Sequence, residues 1–354
     1  MNGKATALNA LRGEKTERLP AAILSGGVWL FKRRNMSIGD SIRAGAQTSA
    51  DIIADTYREI RSDILWACSG CNNIIIKALG GDVRYDEPGF TPEIERPLLN
   101  NAAEIDSLDI SRIESDPDIG MIVETAKLLA RECGQEFLVG SGQWGPFTLA
   151  GQMLGIKLLV RLLLKDKPAL LHVLEFTREV CLKYWQLFID AGVELLRASE
   201  MTASGDLISP KQFEEFVLPS NIRLFSAVSG KVPATMLHVC GNTTNNLPLF
   251  LQTGANAISI DSKVSLSAVR DSCAGRIAFA GNIDPVSVML QGSQEKVREV
   301  SLQCAQNVGS HEGYILMPGC DLPPDVPIEN VKVMTDTARS IPTEYKNMKG
   351  DHYA

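Results

Sequence analysis

The chain has 354 residues, of which 45% are apolar and 22% charged, and its formal net charge is −7. This is the composition of a globular protein with its own core. The lysines and arginines are scattered rather than gathered into a basic stripe, which argues against nucleic acid as a partner. Residues 1–14 read as a short amphipathic helical extension carrying Lys4, Arg12 and Glu14, without the apolar run of a signal peptide. The most apolar stretch, residues 156–164, is interrupted by Lys157 and Arg161 and falls far short of the roughly 20 apolar residues of a membrane span. The expected compartment is the cytoplasm. The eight cysteines are then expected as reduced thiols, free to serve as metal ligands.

Along the chain, short runs rich in Val, Ile, Leu or Ala alternate with amphipathic stretches of helix length. The first predicted strand spans residues 19–24, followed by a helix over 42–60 and a second strand over 64–68. Residues 80–101, with Pro88, Pro92 and Pro97, read as an excursion near one mouth of the fold. A helix over 121–132 precedes a strand over 136–140. A long helix over 168–191, with proline at its tolerant first turn, precedes a strand over 193–198. Ser209 as N-cap and Pro210 at the first helical position open a helix over 210–229. Strands over 233–238, 255–260, 276–280 and 314–317 follow, and a helix over 327–339 ends the pattern.

Strands alternating with helices indicate a parallel sheet covered by helices, and eight such units predict an α/β fold of the (β/α)8 TIM barrel type. Residues 1–354 are expected to form this single domain. The alternative, an open doubly wound sheet, is disfavoured because no G-x-G-x-x-G turn follows a strand.

The chemistry concentrates in two segments. Leu237-His238-Val239-Cys240-Gly241-Asn242 stands at the predicted end of the fifth strand. If that strand runs through Cys240, His238 and Cys240 point the same way and present an imidazole and a thiolate at one strand end, where barrel enzymes keep their chemistry. Met317-Pro318-Gly319-Cys320-Asp321 follows the eighth strand and brings Cys320 to the same mouth. One neutral imidazole and two thiolates suit zinc and leave a fourth position open. Zn²⁺ with two thiolates is formally neutral, so an added substrate thiol is held deprotonated yet electron-rich, as an attack on a methyl group requires. The H-x-C spacing alone does not establish ligation, because packing explains such pairs too. An extra cysteine in a Pro/Gly loop has no comparable packing reason.

The sequence resembles the uroporphyrinogen decarboxylase superfamily, and within it the zinc-dependent branch of methylcobamide:coenzyme M methyltransferases and related corrinoid-protein methyltransferases. The resemblance is carried by Gly145-Pro146-Phe147-Thr148-Leu149-Ala150, Ala203 to Pro210, Phe213 to Pro219, Leu237 to Asn242, Gly281-Asn282-Ile283-Asp284-Pro285 and Pro318 to Val331. Decarboxylases of the superfamily carry an arginine-rich loop after the first strand, where this chain reads Ser25-Gly26-Gly27-Val28-Trp29-Leu30. They also carry a histidine near the C-terminus, in a GHG sequence, where this chain has Gly319-Cys320-Asp321. The methyltransferase pattern, H-x-C-G-N and then P-G-C, is present. The resemblance therefore implies His238, Cys240 and Cys320 as catalytic zinc ligands. It also implies a methyl group delivered on a cobalamin that a separate corrinoid-binding protein carries, since no D-x-H-x-x-G segment occurs here.

Other residues are less telling. Glu200 and Asp261 follow the fourth and sixth strands and are expected either at zinc's open position or orienting His238, with surface solvation or helix capping as the plain alternative. Asn242 belongs to the same rim, and Trp144, Gln143 and Trp29 are candidates to line the mouth. Cys68 and Cys71 have knuckle spacing but no second pair, so they read as small residues at a strand end, bordering the pocket with Asn72 and Asn73. Cys133, Cys181, Cys273 and Cys304 fall in helical patterns, and His172, His311 and His352 have no clustered partner. The expected function is methyl transfer between a corrinoid protein and a small acceptor, a thiol of the coenzyme M type. Demethylation of a methoxylated aromatic or a methylamine, a non-catalytic zinc scaffold and porphyrinogen decarboxylation are the rivals.

Overall fold

The computed structural model describes residues 2–68, 70–309 and 312–342. His311 and His352 lie outside the described residues, as does the side chain of Cys68 and with it the Cys68–Cys71 pair; Cys71 is buried. Seven parallel strands form one sheet in the order β1 (Ile64–Cys68), β4 (Leu138–Trp144), β5 (Leu195–Ser199), β6 (Ala234–Val239), β7 (Ala257–Ile260), β8 (Ala278–Ile283) and β9 (Tyr314–Pro318). The excursion contributes β2 (Val83–Arg84) and β3 (Glu93–Ile94), a separate antiparallel pair. Covered by side chains on one face and helices on the other, these strands are apolar almost throughout, as buried parallel strands are.

The predicted first strand, residues 19–24, is not a regular strand. It nevertheless closes the barrel. Leu316 N donates to Pro20 O (2.9 Å) and Ala22 N to Leu316 O (3.1 Å), tying the segment to β9. On its other side Asp63 N donates to Ala21 O (2.8 Å), and the Asp63 carboxylate accepts Ala21 N at 2.9 Å. Pro20 has no N–H for a ladder, and a carboxylate stands in for one strand partner, so the segment works as the eighth stave without strand regularity. Arg18 and Arg339 both reach the buried Asp63, at 2.5 and 3.3 Å, and lock this seam.

The remaining seven predicted strands appear, most of them displaced one to four residues toward the C-terminus. The predicted helix over 42–60 is two helices, Ile38–Arg43 and Ala46–Glu59, because Gly45 adopts φ +91° between them. The helix predicted over 210–229 passes through a π-helical stretch, Phe213–Val217, behind a Ser209/Gln212 capping box. The N-terminal extension is a helix, Gly3–Leu11, that buries Thr6, Ala7, Ala10 and Leu11, and Lys4 N donates to Glu136 O at the strand starts. The end bearing the strand N-termini is thereby partly covered, and the opposite mouth carries the chemistry. Among the described residues no single helix is long and apolar enough to cross a membrane.

Candidate metal centre

β6 ends in His238 and Val239, and the chain continues through Cys240 into Gly241, which has φ +77°. The imidazole and the first thiol therefore leave the same strand end. β9 ends in Pro318, and Gly319 carries the chain across the mouth. A Cβ on Gly319 would stand 2.4 Å from Ser262 N, so only glycine lets this loop lie against the loop after β7. That approach brings Cys320 to Cys240: the sulfurs are 3.7 Å apart, and His238 Nε2 lies 3.1 Å from Cys240 Sγ and 4.0 Å from Cys320 Sγ.

The triangle can be compared with what a metal needs. Tetrahedral zinc, with Zn–S about 2.3 Å and Zn–N about 2.0–2.1 Å, sets its sulfurs about 3.8 Å apart and each sulfur about 3.5 Å from the nitrogen. The two N–S distances bracket that value and the S–S distance matches it. Among the described residues this is the one group of three such side chains whose donor atoms all lie within 4.8 Å of one another. His238 is buried and both cysteines are half-buried, so the donors face a restricted opening. The contact with Cys240 holds the Cys320 thiol below its ordinary range, with His238 assisting, while the same contact and burial push the Cys240 thiol up.

The surrounding residues hold the donors in place. His238 Nδ1 lies 3.0 Å from Ser259 Oγ on the paired strand β7. With the Nδ1 proton given to Ser259, Nε2 is left as the free donor atom. Asp261 is buried; one oxygen accepts Gly241 N at 2.8 Å and the other Lys263 N at 2.9 Å, which pins the loop bearing Cys240. Above it, Lys263 Nζ pairs with Asp206 at 3.1 Å, drawing the loops after β5 and β7 together over Gly241.

Several expected residues sit elsewhere. The Glu200 carboxyl turns away from the triad to the start of the helix Pro146–Leu154, accepting Phe147 N (3.2 Å) and Thr148 N (2.8 Å) and also Asn221 Nδ2 (3.3 Å). Its link to His238 is only through the backbone, Glu200 N to His238 O at 2.7 Å. Neither Glu200 nor Asp261 contacts the imidazole; Ser259 does. Burial raises Glu200 to about 7 against the pull of its three donors. Asn242 is exposed and accepts Thr244 N and Oγ1. Trp144 is half-buried and donates to Asn73 Oδ1 at 2.7 Å, at the mouth. Gln143 instead donates to Cys181 O in the helix layer, and Trp29 is buried with its indole N–H on Val326 O. Ser259 was missed although it is the one polar residue in the strand Ala257–Ile260. Arg197 was missed although it is the one charge in the apolar strand Leu195–Ser199.

Comparison with known proteins agrees with this architecture. A methylcobamide:CoM methyltransferase MtbA of Methanosarcina mazei is 30% identical over 257 residues, covering 70% of this chain and 71% of the relative. A uroporphyrinogen decarboxylase of Syntrophotalea carbinolica is 29% identical over 271 residues, covering 74% and 75%. Among solved structures, a methyltransferase from Methanosarcina mazei superposes with a TM-score of 0.84 at 20% identity over 96% of this chain and 98% of that one, a likeness of fold. The model of the uroporphyrinogen decarboxylase (URO-D) family matches residues 2–341, and the chain belongs to that family.

Proposed function

We propose that the chain is a methyltransferase that moves a methyl group between a corrinoid carried by a separate protein and a small thiol, with His238, Cys240 and Cys320 holding one zinc ion. The observation that carries this reading is the donor triangle at the strand C-termini, one imidazole and two thiols at zinc spacing, in a chain whose similar relatives include methylcobamide:CoM methyltransferases. Zinc held there would lower the pKa of an incoming thiol and keep it as a nucleophile at neutral pH.

The chain's own residues prepare the rest. Ser259 sets the imidazole tautomer, Asp261 fixes the Cys240 loop, and Gly319 lets Cys320 approach. Cys240 and Cys320 would offset the charge of a bound cation, so that the sulfur of an incoming thiol would stay electron-rich; the chemistry supplied would be transfer of the methyl group to that sulfur, with the methyl–cobalt bonding pair remaining on the partner's corrinoid. Decarboxylation of a porphyrinogen is disfavoured by the absence of arginines from residues 25–30 and by Cys320 in place of histidine.

Methyl transfer from free methylcobalamin to a panel of thiols, followed by loss of the methylcobalt absorbance, tests the reading. Turnover with at least one thiol, lost in Cys320→Ser along with the zinc, is expected. If no thiol accepts a methyl group while a methoxylated compound or methylamine methylates a corrinoid protein, the assigned direction is wrong.

A further inference from the structure

Among the cysteines whose side chains are described, two differ from the rest. Cys71, Cys133, Cys181, Cys273 and Cys304 are buried, whereas Cys240 and Cys320 are half-buried at the mouth, within reach of a small solute. They are 80 residues apart in sequence, yet their sulfurs stand 3.7 Å apart. A disulfide bond is about 2.05 Å long, so the sulfurs need to approach by about 1.7 Å. Divided between them this is less than about 1 Å each, which a turn of about 30° about each Cα–Cβ bond supplies.

The two arrangements of this pair exclude one another. Tetrahedral zinc takes two thiolates whose sulfurs lie about 3.8 Å apart. A disulfide offers no thiolate and brings the sulfurs to about half that separation. Loop packing keeps the pair within reach of both arrangements. Gly319 lies against Ser262 N, where a Cβ would come within 2.4 Å, and Asp261 holds Gly241 N at 2.8 Å, so neither cysteine is free to retreat.

We infer that Cys240 and Cys320 are a reversible modification site, at which a peroxide closes a disulfide that expels the metal and small thiols reopen it. One sulfur attacks a peroxide oxygen and the O–O bond breaks, giving a sulfenic acid and water. The second sulfur then attacks the first, the S–O bond breaks and a second water leaves, so the two thiols give up two electrons and two protons to the peroxide. The nearby second thiol captures the sulfenic acid before it oxidises further. Reopening is thiol–disulfide exchange: one small thiol forms a mixed disulfide with one cysteine, and a second small thiol attacks its own kind and frees the protein. Two small thiols thereby leave as their disulfide, and both cysteines are thiols again. This regulation rests on the thiol-acceptor reading in one respect, that the acceptor itself is the reductant. The fraction of open sites then follows the redox state of the acceptor pool.

The test treats metal-free protein with an equivalent of hydrogen peroxide and reads intact mass, free thiols and disulfide-linked peptides. The expected result is the loss of two hydrogens and two thiols per chain, with Cys240 joined to Cys320 and both thiols recovered on adding 2-mercaptoethanesulfonate. Cys240→Ser and Cys320→Ser should yield no linked peptide, and Gly319→Ala, which moves Cys320 back, should form the bond more slowly than the wild type. In zinc-loaded protein a chromogenic chelator should record one zinc released for each disulfide formed. Sulfinic or sulfonic acid on unlinked sulfurs, a bond made by one of the buried cysteines, or zinc retained alongside the disulfide overturns the proposal. A disulfide that dithiothreitol reopens, in a protein that methylates no thiol, keeps the redox site and removes the thiol-acceptor reading. Thiol methylation by a protein that forms no such bond does the reverse.

Discussion

Replacing Gly319 with alanine tests the claim that loop packing, and not cysteine content alone, makes the metal site. Gly319 does not adopt a positive φ, so alanine brings no backbone strain of that kind. The difficulty is space: the new Cβ would lie 2.4 Å from Ser262 N and 3.1 Å from the Asp261 carbonyl carbon, both backbone atoms. Restoring ordinary contact requires the loop to retreat by about 1 Å. A metal–ligand distance tolerates a departure of only about 0.2 Å, so Cys320 would leave the coordination distance while Cys240 and His238 stayed. Zinc affinity should fall by at least about tenfold, which is about 1.4 kcal/mol, as found when the support of a metal ligand is removed. Chelator competition measures this directly. Gly120→Ala is the control: it lies in the helix Pro117–Cys133 with open space around its Cβ position and should stabilise the fold by up to about 1 kcal/mol without touching zinc. Wild-type zinc affinity in a folded Gly319→Ala protein would refute the reasoning.

Two further expectations concern residues around the triad. Ser259→Ala should weaken zinc binding by about 10- to 100-fold through loss of the hydrogen bond to His238 Nδ1, with Ser259→Thr recovering part of it; chelator competition again decides. Glu200 is raised by burial from 4.5 to about 7, so its contribution to stability is fully present below pH 4.5 and is lost as pH rises to about 7. In denaturant titrations across that window the wild type should lose up to about 3 kcal/mol relative to Glu200→Gln, whose amide Asn221 can accommodate through its unpartnered Oδ1; parallel pH profiles would contradict the assignment.

The parts legible in the sequence are those where local pattern and tertiary role agree. Seven strands could be read because buried parallel strands are nearly continuous apolar runs. The triad could be placed because strand ends mark one mouth and the two cysteine loops follow such ends. Residues 19–24 read as a strand by composition, yet Pro20 lacks a donor and the Asp63 carboxylate replaces a partner, details visible only once the barrel closes. Glu200, which follows a strand, was expected either near the metal or as a helix cap, and it is the cap. Side chains alternate along a strand, so the residue after Ser199 faces the helix layer, and the donors at the start of Pro146–Leu154 claim it. The same alternation, applied to Arg197, would have placed a charge inside the barrel.

X-ray absorption at the zinc edge, recorded on the purified protein before and after addition of 2-mercaptoethanesulfonate, tests the central claim most directly. The expected result is about two sulfurs at about 2.3 Å and one nitrogen at about 2.0–2.1 Å from protein, with a third sulfur appearing when the thiol is added. A protein without zinc, or a zinc spectrum that the thiol leaves unchanged, would contradict it.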